Sequence, residues 1–199
     1  MSRIVVLISG RGSNMQAIVN ACDLGQINAE VVLVISNRPD AAGLAFAKRH
    51  GITTKVCDHT HFPERQQFDA ELASIIESAK PDWVVLAGFM RILGAELVQQ
   101  FVGRMINIHP SLLPKYPGLN THERALAEGD AEHGATVHFV TPELDAGPVI
   151  DQVAVPIKEN DTPALLAARV LSEEHGLLVK AIKRCTAGEV QYNSTSTCG

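Results

Sequence analysis

Ile4-Val5-Val6-Leu7-Ile8-Ser9-Gly10-Arg11-Gly12-Ser13-Asn14 decides the fold. Its first five residues are uninterrupted apolar side chains, four of them β-branched, which read as a short strand buried on both faces. The run is too short for a signal peptide or a membrane span, and no small-residue cleavage site follows it. Two glycines then break it, and a helical stretch from Met15 to Cys22 follows. A strand that passes through a glycine turn into a helix is the start of a βαβ unit.

Outward from that unit the pattern repeats. Val31–Ile35 is a second apolar run, Ala41–His50 a second helix, and Thr53–Val56 a weaker strand. Residues 63–79 place Phe68, Leu72, Ile75 and Ile76 on one helical face, and Trp83–Leu86 is a fourth strand. The expected fold is therefore α/β: a doubly wound, mostly parallel sheet with helices on both faces, Rossmann-like. Further on come a helix over 94–101, a short strand Met105–Ile108, a Pro/Gly-rich loop over 110–120 and a helix Thr121–Glu128. Strands Thr136–Val140 and Val149–Val155 flank a turn around Asp145, and Thr162–Arg184 is a long closing helix with Pro163 in its first turn. No repeat or linker interrupts this, so residues 1–185 are expected to form one domain and 186–199 a poorly ordered tail.

The chain has 199 residues and a net charge of −5, which argues against general nucleic-acid binding, since that leaves a basic footprint. No apolar run approaches the ~18 residues of a membrane span. Cys22, Cys57, Cys185 and Cys198 show no paired spacing, which points to a reducing cytoplasm. Cys57, His59 and His61 are too closely spaced for an ordinary zinc site, so no metal is expected.

Four features can carry chemistry. Free N–H groups at Gly12, Ser13 and Asn14, at the start of a helix, make an anion site. A dinucleotide fingerprint wants glycine where Met15 stands, and a P-loop wants a lysine that is missing, so the loop suits a monophosphate; the plain alternative is a tight turn with an Asn cap. On the strand Ile106-Asn107-Ile108-His109, period two sends Asn107 and His109 to the same face, where open parallel sheets place ligands. Asparagine can donate to an oxyanion and histidine can supply a proton; the alternative is a polar edge strand. Asp145 either partners His109 or simply forms its turn. Glu174 lies among Val170, Leu171, Leu177 and Leu178, so it is either ion-paired with an arginine or a clamp for hydroxyls or an amine.

Leu86–Leu93, Asn107–Pro114 and Leu144–Pro148 resemble the folate-dependent formyltransferases. Ser9–Asn14 and Lys115–His122 resemble the branch that formylates a ribonucleotide amine, and the resemblance runs from about residue 3 to about residue 185. It implies transfer of the formyl group of 10-formyltetrahydrofolate to the amine of 5′-phosphoribosylglycinamide in purine synthesis. In that scheme Asn107, His109 and Asp145 are catalytic, with Asp145 keeping His109 charged. Gly12, Ser13 and Asn14 hold the phosphate and Glu174 the ribose hydroxyls. Met90, Arg91, Ile92, Leu93, Val140, Thr141 and Glu143 meet the folate, Arg65 its glutamate tail, and the bond before Pro114 is cis. Small-molecule partners and a monomer or homodimer are implied. Asn120 departs from a histidine found in relatives, and Leu171 from a polar residue near the phosphate. The rival activities are a formyltetrahydrofolate hydrolase, with an added regulatory domain, and a non-catalytic mononucleotide-binding module. A tRNA-modifying relative would need a second, basic domain, and a dehydrogenase the missing third glycine.

Overall fold

Along the first strand, Ile4, Val6 and Ile8 face one side and Val5 and Leu7 the other, all without solvent exposure, so a single strand seeds two cores. The computed structural model describes residues 1–193. Its strands are β1 (Ser2–Ile8), β2 (Ala29–Ser36), β3 (Thr53–Val56), β4 (Trp83–Leu86), β5 (Met105–His109), β6 (Glu132–Phe139) and β7 (Val149–Pro156). Its helices are α1 (Ser13–Asp23), α2 (Ala42–Arg49), α3 (Arg65–Ser78), α4 (Ala95–Gln100), α5 (Thr121–Glu128) and α6 (Pro163–Thr186).

The strands form one sheet in the order β3-β2-β1-β4-β5-β6-β7. Pairing is parallel from β3 through β5 and antiparallel for β5 with β6 and β6 with β7. One core packs α1, α2 and α6 on the Ile4/Val6/Ile8 face; the other packs α3 and α4 on the Val5/Leu7 face. Each fully buried aliphatic side chain there contributes about 1.5–3 kcal/mol by leaving water. The chain winds outward from β1 to β3 and restarts on the other side with β4. The C-terminal ends of β1 and β4 therefore bound the crevice where the direction of winding reverses, the usual ligand position in such sheets.

Two boundaries differ from the sequence reading. Strand β6 begins at Glu132, because the whole length of β7 pairs with it down to Pro156 opposite Glu132; Gly134 had hidden that stretch. The tail expected to fray from residue 186 has its first part packed: α6 runs to Thr186, and Val190 and Tyr192 lie on the core, with the Tyr192 ring edge-on to Phe139 at 5.4 Å. Residues 194–199 of that tail lie outside the described residues. No helix among the described residues is long and apolar enough to cross a membrane.

Candidate active site

Strand β5 ends in His109, and Pro110 turns the chain away into the loop that reaches α5. His109 is 5% exposed, and both its ring nitrogens face oxygen acceptors: Nε2 is 2.9 Å from the Tyr116 carbonyl and Nδ1 3.4 Å from Asp145 Oδ2. The backbone N–H of Gly118 also donates to Asp145 Oδ2, at 2.8 Å. Asp145 adopts a left-handed conformation (φ 52°), which aspartate tolerates better than most residues. Asn107, two residues before His109, shares its face as the strand period requires. The structure thus brings Asn107, His109 and Asp145 together from two segments.

A fourth group joins them that sequence reasoning missed. His138 sits directly opposite Asn107 in the β5–β6 pairing, beside a register shift between Val137 and His138 that bends β6 against β7. Its Nδ1 donates to the Phe139 carbonyl at 2.9 Å, which leaves Nε2 to accept from Asn107 Nδ2 at 3.2 Å. Nε2 is also 3.6 Å from Asp145 Oδ1. One amide N–H of Asn107 is therefore held, and the other is free for a ligand. Alternation along 136–140 would have placed His138 on the polar face, but nothing in the sequence states which residue it opposes.

Electrostatics correct one expectation. Burial pushes His109 down from its ordinary value of 6.5 and outweighs the upward pull of the Tyr116 carbonyl and Asp145. In the free site the imidazole is accordingly neutral near pH 7, rather than kept charged by Asp145. Burial pushes the Asp145 carboxyl up, yet the Gly118 N–H, together with His138 and His109 whenever those rings are protonated, holds it below the ordinary carboxylate value.

The loop after His109 is fastened at several points. Thr136 Oγ1 donates to the Ser111 carbonyl at 2.6 Å and accepts from Leu113 N at 3.0 Å, and Gln152 Nε2 reaches the Leu113 carbonyl at 2.8 Å. The Leu113–Pro114 peptide is cis. Asn120, the departure from histidine, takes a left-handed φ of 57° and precedes α5 without a side-chain cap.

Beneath this loop His133 is buried against His122 and Tyr116, and its Nε2 has no hydrogen-bond partner among the described residues. Burial, with His122 nearby, takes His133 down to about 4. The unfolded chain therefore binds the proton more readily between pH 6.5 and 4. The stability this contributes is present above pH 6.5 and is lost on acidification toward 4, up to about 3 kcal/mol. Urea midpoints at pH 7 and pH 4.5 should fall less for His133→Gln than for the parent; an equal fall would remove this assignment.

At the other side of the crevice, Gly12 precedes α1 in a left-handed conformation, and no side chain caps the helix, so its first-turn N–H groups stay available to an anion. Gly43 lies so close behind this turn that a Cβ there would meet Ile8 Cδ1 at 2.6 Å. Glu174, 7% exposed, accepts from Asn14 Nδ2 at 2.7 Å. Among the described residues no arginine pairs with it, so the buried ion pair is set aside. Burial raises its carboxyl, opposed by Asn14. Leu171, the other departure, is a half-buried residue of α6.

The segment Met90–Leu93 follows β4 in irregular backbone with a bend at Arg91. Met90 N–H is bound by Ser9 Oγ at 2.7 Å. Among the described residues, the N–H groups of Arg91, Ile92 and Leu93 and the carbonyls of Met90 to Leu93 make no hydrogen bond within the protein. Met90 and Ile92 are exposed. Arg65 begins α3, half-exposed, with Nε 3.5 Å from Asp69 Oδ2. Val140 donates to the Met105 carbonyl at 2.9 Å, and Thr141 Oγ1 to the Glu143 carbonyl at 3.2 Å, along the loop that carries Asp145. Among the described residues, no group of three or more His, Cys, Asp or Glu is arranged to hold a metal ion.

The formyl transferase family profile matches residues 2–182. Phosphoribosylglycinamide formyltransferase of Escherichia coli K12 is 49% identical over 97% of this chain and 91% of its own length. The human trifunctional purine biosynthetic protein adenosine-3 is 45% identical over 96% of this chain, which spans 19% of that protein. Among solved structures, glycinamide ribonucleotide transformylase 1 from Symbiobacterium toebii superposes with a TM-score of 0.95 at 44% identity, covering 98% of this chain and 92% of the other. Phosphoribosylglycinamide formyltransferase from Coxiella burnetii, in complex with CHES, gives 0.92 at 50% identity, covering 97% and 90%.

Proposed function

The chain belongs to the formyl transferase family, and we propose from its site geometry that Asn107, His109 and Asp145 carry the chemistry. The reaction is transfer of the formyl group of 10-formyltetrahydrofolate to the amine of 5′-phosphoribosylglycinamide, in purine biosynthesis. The observation that supports the assignment of residues is the meeting of Asn107, His109 and Asp145 at the C-terminal end of β5, each held by a second partner.

When bound, the folate supplies a formyl carbon whose oxygen becomes anionic as the amine adds. Asn107 offers that oxygen the N–H that His138 leaves free. His109 offers Nε2–H, now donated to the neutral Tyr116 carbonyl; an oxyanion is the stronger acceptor and displaces it. With acceptors on both ring nitrogens, only the imidazolium donates to both; burial opposes that charge most, with smaller opposition from His138 and Arg124. A neighbouring oxyanion offsets that opposition, so His109 takes the proton that the adding amine must lose; returning it to the folate nitrogen as the formyl C–N bond breaks lets the oxyanion collapse to the new amide and tetrahydrofolate leave. Asp145 orients the ring through Nδ1 and steadies the charge.

The phosphate rests on Gly12, Ser13 and Asn14, and Glu174 accepts from the ribose hydroxyls, its second oxygen being uncommitted to Asn14. The bare backbone of Met90–Leu93 fits a flat ring whose edge carries donors and acceptors, as a strand edge would. Val140, Thr141 and Glu143 line its other side, and Arg65 meets the glutamate tail. Residues 1–185 act as one domain, in the cytoplasm, as a monomer or homodimer working on small molecules without nucleic acid or membrane; the charge of −5 supports the first of those absences.

One assay tests the reading: formyl transfer from 10-formyltetrahydrofolate with and without 5′-phosphoribosylglycinamide. Formylated nucleotide is expected, and formate release independent of the nucleotide would overturn it in favour of hydrolysis. Glu174→Gln should raise KM for the nucleotide about ten-fold, because a hydrogen bond to a buried charge is worth about 1.5–3 kcal/mol. An unchanged nucleotide KM would remove Glu174 from the ribose site.

A further inference from the structure

From the two ends of the bare segment Met90–Leu93, we infer that Ser9 and Asp69 are positioning residues that hold this segment in the shape that receives the folate. The inference rests on the folate assignment of that segment.

The near end lies at the crevice where β1 and β4 leave the sheet. Their backbone pairing continues past the strands, Ala87 N to the Leu7 carbonyl at 2.9 Å and Ser9 N to the Gly88 carbonyl at 3.1 Å. The main chains then part, and a side chain takes over the ladder: Ser9 Oγ binds Met90 N–H at 2.7 Å. An amide can only donate, so the Ser9 oxygen accepts, and its own proton goes to Asn37 Oδ1 at 2.5 Å. Ser9 and Asn37 are 6% and 3% exposed, so the hydroxyl has no water to choose instead.

The far end is held by α3. Asp69, buried on that helix, receives the Gly94 N–H on Oδ2 at 2.8 Å, where α4 begins. Its other oxygen, Oδ1, has no hydrogen-bond partner among the described residues. A buried carboxylate with a bare oxygen is costly, and it persists where its placement serves something. Between these two mounts the backbone groups of the segment are free of internal bonds. Such a stretch keeps one conformation only through its ends, and a preordered edge binds without paying the entropy of ordering it.

The test compares Ser9→Ala with Ser9→Thr, which keeps the hydroxyl, and Asp69→Ala with Asp69→Asn, which keeps an acceptor for Gly94. Amide exchange of the ligand-free proteins should quicken at Met90 in Ser9→Ala and at Gly94 in Asp69→Ala. KM for 10-formyltetrahydrofolate should rise about ten-fold in each, nucleotide KM should stay within about three-fold, and the conservative partner should restore most of the loss. A folate KM within about two-fold of the parent, or a rise of both KM values in step with a fall in Tm, would overturn the inference. Tetrahydrofolate binding to the parent protein separates the two layers. If it fails to slow exchange at Arg91–Leu93, the folate assignment falls and this inference with it. If it slows exchange there while Ser9→Ala and Asp69→Ala leave folate KM unmoved, only the positioning role falls.

Discussion

His109→Ala is expected to lower kcat about a hundred- to a thousand-fold, the usual cost of removing one donor to a developing oxyanion, while nucleotide KM changes little. The donor acts on charge that exists only in the transition state, so its loss appears in kcat. His109→Gln, which keeps an N–H near the same place, should recover part of the loss. A kcat within about five-fold of the parent would remove His109 from the mechanism. The direction of the pKa fixes the pH behaviour. Burial holds His109 below 6.5, so the free enzyme loses its imidazolium as pH rises through that lowered value. Any limb of kcat/KM that belongs to His109 therefore lies on the acid side, and the range from about pH 7 to 9 carries none of it. A limb within that range, present in the parent and absent in His109→Ala, would contradict the burial argument.

Asp145→Ala should cost as much or more, because one carboxylate serves both His109 and the Gly118 N–H. Its removal leaves His109 Nδ1 without an oriented partner and releases the loop at Gly118. A loss of about a thousand-fold in kcat is expected, with Asp145→Asn intermediate, since the amide keeps an acceptor but not the charge. The two residues act as a unit, so the double variant His109→Ala/Asp145→Ala should be hardly worse than the worse single variant. Multiplying losses in the double variant would mean that Asp145 acts on something other than His109.

Much of the site was legible because short periods carry it. Alternation along Ile106–His109 put Asn107 and His109 on one face, and β5 keeps them there. The helical spacing of Val170, Leu171, Leu177 and Leu178 marked Glu174 as a carboxylate in apolar company. Its partner, Asn14, is 160 residues away in sequence and was not legible, because the α1–α6 packing that joins them is a contact between helices rather than a pattern within either. His138 escaped for a similar reason: an antiparallel register is set by the whole strand pair. Ser9 belongs to the glycine loop in sequence, yet its hydroxyl binds the Met90 N–H, across the gap between two strands.

The sequence by itself determined the strands and helices, the doubly wound sheet and the glycine turn at Gly12, and it set Asn107 and His109 on one face of a strand. Those follow from local periodicity, turn chemistry and the type of each group. Only the tertiary structure decided which partners meet and how charged they are. It placed His138 against Asn107, mounted Met90–Leu93 on Ser9 and Asp69, and withdrew the standing charge expected on His109. The last of these could not be read from residue types, because Asp145 beside a histidine raises its pKa in water. The depth of burial at the end of β5 reverses the sign.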